Sequence, residues 1–153
     1  MRPEIIVGNN QQAIEIPEAW LTALEKGGAM AAREILARHV VGADAPLIGH
    51  ECVEVALVDD PTSARVHDQF MGIPGETDVI TFHHGEIVVG AEVAFRQAAE
   101  NGEPPLRELF RYVVHGLLHL AGHEDEQAAD RERMEAVQEP LIASLWPGLA
   151  SGA

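Results

Sequence analysis

Residues 115–126 read HGLLHLAGHEDE, with three histidines, one aspartate and two glutamates in twelve positions. The run that carries them, LRELFRYVVHGLLHLA over 106–121, has helical periodicity. Leu106, Leu109, Val113, Leu117 and Leu120 fall on one stripe, and Phe110, Val114, Leu118 and Ala121 on a second. Only the strip through Glu108, Arg111, Tyr112, His115 and His119 remains polar. A helix this apolar is expected to be mostly buried, with its two histidines at the floor of a cleft or inside the core.

Residues at i and i+4 project from one helix face, the separation two imidazoles need to converge on one tetrahedral ion. His115 and His119 therefore supply two ligands. Gly122 falls where the helix can stop, because glycine takes the left-handed conformation that turns the chain back across its last turn. The spacing H-x-x-x-H-x-x-G-x-x-ligand is that of the metzincins and puts Asp125 at the third position. His123 is the competitor by chemistry, since imidazole is the commoner zinc ligand. Only one residue past the glycine, it has little chain with which to swing back, whereas Asp125 has the reach, and carboxylate oxygens bind zinc at roughly 2.0 to 2.2 Å. Three protein ligands leave one position open, as in a catalytic site. The set His115, His119 and Asp125 points to one Zn2+ per chain, though imidazole and carboxylate also suit other divalent metals. Glu124 and Glu126 flank the third ligand, and Glu124 is the candidate base. Metalloproteases carry a glutamate directly after the first histidine; here Gly116 stands there, which argues against a peptidase.

A chain of 153 residues suits one domain, taken as 1–146, with PGLASGA (147–153) as a mobile tail. An apolar fraction of 46% without a long apolar run indicates a globular protein with no membrane span. MRPEIIVGNN lacks an apolar signal core, so the cytoplasm is the expected location. Cys52 is the only cysteine, which excludes an internal disulfide and a thiolate cluster. Ten Lys plus Arg against 25 Asp plus Glu give a net charge of -15, so nucleic-acid binding needs a local basic patch. Arg107, Arg111, Arg131 and Arg133 flank the histidines and are its candidates.

The remaining elements alternate between the two periods. EIIVG (4–8) reads as a first strand, and Pro17 opens a helix that Gly27-Gly28 can interrupt before AMAAREILARHV resumes it. ECVEVALVDD alternates as a strand, and Asp60-Pro61 cap a helix running to about Phe70. TDVITF (77–82) and EIVVG (86–90) are neighbouring strands across a tight connection. AEVAFRQAAENG is a helix stopped by Gly102, and Pro104-Pro105 start the motif helix. Met134 and Gln138 are expected to pack a last helix.

Four segments in order, VALVDD (55–60), TDVITF (77–82), HGLLHLAGHED (115–125) and MEAVQE (134–139), resemble the YbeY family of bacterial endoribonucleases, and the likeness runs from about Val53 to Ile142. The resemblance implies an α/β (α+β) domain, a small mixed sheet of about four strands with surrounding helices forming a metzincin-like zinc cleft. It also implies action on single-stranded RNA in ribosomal RNA maturation and ribosome quality control, with ribosomal particles or assembly factors as partners. His115 and His119 carry over as zinc ligands. The family's third histidine falls on Asp125, a family arginine important for cleavage falls on Met71, and a nearby asparagine on His67. Two alternatives stay open: an assembly factor that keeps the zinc site without cutting RNA, and a metal hydrolase with another substrate. Thr77 and Asp78 are expected to cap the strand and shape the cleft edge, and His83 and His84 to be loop residues.

Overall fold

The computed structural model describes residues 2–150. Its strands are β1 (Glu4–Asn9), β2 (Cys52–Val58), β3 (Val79–Phe82) and β4 (Glu86–Gly90). Its helices are α1 (Glu18–Arg38), α2 (Pro46–Gly49), α3 (Asp60–Met71), α4 (Ala91–Asn101), α5 (Pro105–Leu120) and α6 (Ala128–Leu149). The sheet order is β1-β2-β4-β3; the first three strands run parallel and β3 pairs antiparallel to β4. The expected mixed sheet with surrounding helices is what forms.

Period-two alternation in β2 explains the two layers. Val53, Val55 and Leu57 point to one face, where Val55 stands in register with Val7 of β1 and Ile87 of β4, and this layer meets α1 and α5 in the main core. The opposite face is thinner: Val58, Ile80 and Val88 are covered by Val66 of α3. The motif helix α5 lies across β3 and β4 and is also gripped by α1, α4 and α6, which is why it tolerates apolar residues on nearly every side.

Several boundaries differ from the sequence expectation, each for a local reason. Helix α1 does not break at Gly27-Gly28. A Cβ on Gly27 would lie 2.5 Å from Leu149 Cδ2, and one on Gly28 would lie 3.1 Å from Ile5 Cγ2, so both glycines are close-approach sites on a continuous helix. The same contact corrects the tail. Pro147, Gly148 and Leu149 extend α6, and Leu149 is buried against α1; Ser151 to Ala153 lie outside the described residues. The cap of α3 is Asp59, whose carboxylate accepts the Thr62 N–H at 2.9 Å. Asp60, one residue later, pairs with Arg96 while its own N–H donates to Glu92. Strand β3 starts at Val79 because the Asp78 carboxylate accepts the Val79 N–H. The single turn α2, opened by Pro46, is too short to show a period.

Candidate metal centre

Helix α5 ends as its sequence demands. Gly122 takes φ +98°, and a Cβ there would stand 2.0 Å from the Val41 carbonyl oxygen, so the turn is closed to any other residue. The chain beyond it folds back, and Asp125 Oδ2 comes within 3.3 Å of His115 Nε2 and 3.4 Å of His119 Nε2. Among the described residues, His115, His119 and Asp125 are the one cluster of such side chains whose ligand atoms lie close enough together to hold a metal ion.

The hydrogen bonds around the cluster fix which nitrogens face it. His115 Nδ1 donates to Gln138 Oε1 at 2.8 Å, and the Gln138 amide is held that way round because its Nε2 donates to Glu139 at 3.0 Å. His119 Nδ1 donates to the His123 carbonyl at 3.0 Å. In the neutral rings these bonds place the proton on Nδ1 and turn the two Nε2 lone pairs, 3.1 Å apart, toward the cluster. Burial and, after it, the neighbouring His115 push the His119 imidazole below its ordinary pKa, which favours this neutral form. Two imidazole nitrogens and a carboxylate oxygen thus converge within 3.4 Å of one another. This donor set fits a divalent metal.

Asp125, not His123, is the residue that reaches the pair. The His123 imidazole turns away and donates Nε2–H to the His39 carbonyl at 2.6 Å, so this residue serves the centre through its backbone oxygen alone. Gly116 packs against β4, where a Cβ would sit 2.7 Å from Ile87 Cδ1. The glutamate that a metalloprotease needs has no room at that position.

Behind the centre, Arg111 binds Glu139 through Nε at 3.0 Å and Nη2 at 2.9 Å, reaches Glu103 with Nη1 at 2.9 Å, and also contacts Glu108. The bond to Glu139 is the largest influence raising the Arg111 pKa, and the same bond pulls the Glu139 carboxyl below its usual range. A relay Arg111–Glu139–Gln138–His115 thus ties the ligand to a fixed charge pair.

In front of the centre opens a cleft of about 690 Å³. Glu76 to Val79 form one wall, α4 and α5 the floor, and Arg131, Met134, Glu135 and Gln138 of α6 the other wall. Thr77 and Asp78 shape its edge as expected, with Ser63 Oγ accepting the Thr77 N–H at 2.9 Å. The expected base Glu124 is not brought to the triad; it is exposed and lines a separate groove with Val41 and His123. Met71 and His67 also lie outside the cleft lining: Met71 is exposed at the end of α3, and His67 Nδ1 bonds the Gly75 carbonyl at 2.9 Å. Of the candidate basic patch, Arg111 and Arg131 line the cleft, whereas Arg107 and Arg133 do not. His83 and His84 sit in the β3–β4 turn.

Two functional positions escape a reading of the motif alone. Gln138 orients a ligand, where it was expected only to pack, and Glu135 puts a carboxylate on the cleft wall. A signal for both exists, since 131, 134, 135 and 138 follow the i, i+3, i+4, i+7 pattern of one helix face.

Residues 7–146 match the family model described as Endoribonuclease YbeY. The chain is 32% identical to the Endoribonuclease YbeY of Micrococcus luteus over 154 aligned positions, covering 89% of this chain and 88% of the relative. It is 31% identical to that of Symbiobacterium thermophilum, covering 93% of this chain and 97% of the relative. The fold is similar to the solution structure of TM1509 from Thermotoga maritima, with a TM-score of 0.65 and 25% identity across 96% of this chain and 92% of that one.

Proposed function

The chain belongs to the YbeY endoribonuclease family, and on that premise we propose that it is a zinc-dependent endoribonuclease cutting single-stranded RNA during ribosomal RNA maturation and ribosome quality control in the cytoplasm. The observation that carries this reading is the convergence of two bare Nε2 atoms and one carboxylate oxygen at the floor of an open cleft. His115, His119 and Asp125 hold the ion, one per chain, within a single domain that takes in the 1–146 span and continues through α6 to Leu149. When bound, the metal supplies Lewis acidity toward a phosphoryl oxygen and lowers the pKa of a neighbouring water.

The protein's own groups do the rest. Gln138 and the His123 carbonyl engage the two Nδ1 atoms, so the nitrogens turned toward the centre are the Nε2 atoms. Asp125 adds a negative charge where a third imidazole would add none, which lowers the net positive charge of the centre by one unit. Tyr112 lines the cleft, and burial followed by the Glu108 charge raises its pKa, so the phenol stays protonated.

A second reading has its own support. Six carboxylates line the cleft, and Met71 stands where the resembled family has an arginine, which fits an assembly factor that keeps the metal but has lost cleavage. One set of samples separates the two. Zinc per chain is measured for wild type, His123→Ala and Asp125→Ala, and the wild type is assayed on a single-stranded RNA oligonucleotide and its duplex before and after chelation. The endoribonuclease reading expects zinc lost only in Asp125→Ala, and cleavage of the single strand that stops on chelation and returns with zinc. A zinc-loaded wild type that cuts neither substrate but sediments with ribosomal particles establishes the assembly factor instead.

A further inference from the structure

The charges lining the cleft are unevenly used. Six carboxylates (Glu76, Asp78, Glu100, Glu108, Asp125, Glu135) face three guanidinium groups, those of Arg96, Arg111 and Arg131. Arg96 is spent on a two-pronged pair with Asp60, at 2.8 and 3.1 Å, and also lies 3.6 Å from Glu76. Arg111 is spent on Glu139, Glu103 and Glu108. Arg131 alone of the three has no carboxylate oxygen within 4.0 Å among the described residues. Its partners are two backbone carbonyls, Asp125 O at 3.3 Å from Nε and Glu126 O at 3.5 Å from the second terminal nitrogen, both long contacts. Its remaining nitrogen, Nη1, has no hydrogen-bond partner among the described residues.

These carbonyls hold the guanidinium beside the loop that presents the third ligand, on the exposed first turns of α6. An always-charged, planar group with free N–H donors recognises a phosphate diester edge-on, and each such charge-assisted bond is short and strong. RNA entering an otherwise acidic cleft meets one uncommitted side-chain cation there.

We propose that Arg131 is a substrate-binding residue, clamping a backbone phosphate of single-stranded RNA next to the His115–His119–Asp125 centre. This rests on the endoribonuclease reading of the same cleft, and the test keeps the two apart.

Zinc-loaded wild type, Arg131→Gln, Arg131→Lys and Arg33→Gln are compared, Arg33 being an exposed arginine in the groove between α1 and α6, away from the cleft. Cleavage of a single-stranded RNA oligonucleotide gives kcat/KM, and a labelled, fully 2′-O-methylated strand gives binding across a salt series. Losing one charged hydrogen bond lowers kcat/KM about 10- to 100-fold in Arg131→Gln. Losing one phosphate contact flattens the slope of log K against log salt by about 0.7. Arg131→Lys recovers the slope but only part of kcat/KM, Arg33→Gln matches wild type in both, and zinc content is the same in all four. A wild-type slope in Arg131→Gln overturns the proposal, as does a loss of zinc, which would make Arg131 a brace for the Asp125 loop. If wild type binds RNA without cutting it, the endoribonuclease reading fails, yet the slope still decides for or against Arg131. No binding by wild type overturns both.

Discussion

Gln138 accepts the Nδ1 proton of His115 at 2.8 Å, and this contact decides which nitrogen the histidine turns to the cleft. The bond joins two helices, so the ligand's tautomer depends on how α6 docks on α5. Replacing Gln138 with leucine keeps the volume and removes the acceptor. Loss of such an orienting partner weakens metal binding about 10- to 100-fold. Competition against a chromogenic chelator measures it, and Gln138→Glu, which retains an acceptor, should stay closer to wild type. Equal affinity in all three proteins would show that the ring is oriented by packing alone.

Gly122→Ala tests the turn. Alanine there meets both a left-handed backbone at φ +98° and the Val41 oxygen 2.0 Å from its Cβ. The backbone strain alone costs roughly 1–3 kcal/mol, and the clash adds to it. We expect a lower urea midpoint together with loss of the metal, since the same turn delivers Asp125. A variant of wild-type stability that still binds zinc would refute this description of the turn.

The Arg111–Glu139 pair gives a pH dependence of known sign. Hydrogen bonding to Arg111 holds the Glu139 carboxyl below its usual range, outweighing the burial that raises it. A depressed folded pKa contributes stability above the unfolded value, and that contribution is lost as pH falls through the folded one. Glu139→Gln should therefore be less stable than wild type at neutral pH, with a gap that closes through the acid range. The side chain is 45% exposed, so solvent screening keeps the gap modest. Urea midpoints over a pH series read it directly, and a gap that widened on acidification would reverse the assignment.

What the sequence could reveal was set by how local each cause is. The histidine pair, the glycine and the aspartate sit within one turn-and-return of chain, so spacing sufficed to bring Asp125 to the pair. The strands were legible for the same reason, through alternation in β2 and the short connection between β3 and β4. Gln138 and Arg131 were harder, because their positions depend on the docking of α6. Glycine's low helix propensity lets the Gly27-Gly28 pair interrupt a helix or continue it, and packing against Leu149 and Ile5 is what keeps this one whole. Glu124 neighbours Asp125 in sequence, but the fold-back that aims Asp125 inward leaves Glu124 exposed in a separate groove.

The dependence of the ligand helix on α6 also imposes an order in time. Chains emerge from the ribosome N-terminal part first, so α5 and its histidines are made before Gln138, Arg131 and the wall they build. A nascent chain can already carry His115 and His119 while lacking the Gln138 amide that orients one of them and the Arg131 side chain on the cleft wall. The wall of the cleft and the orientation of His115 are therefore completed only by the last element of the chain to be made.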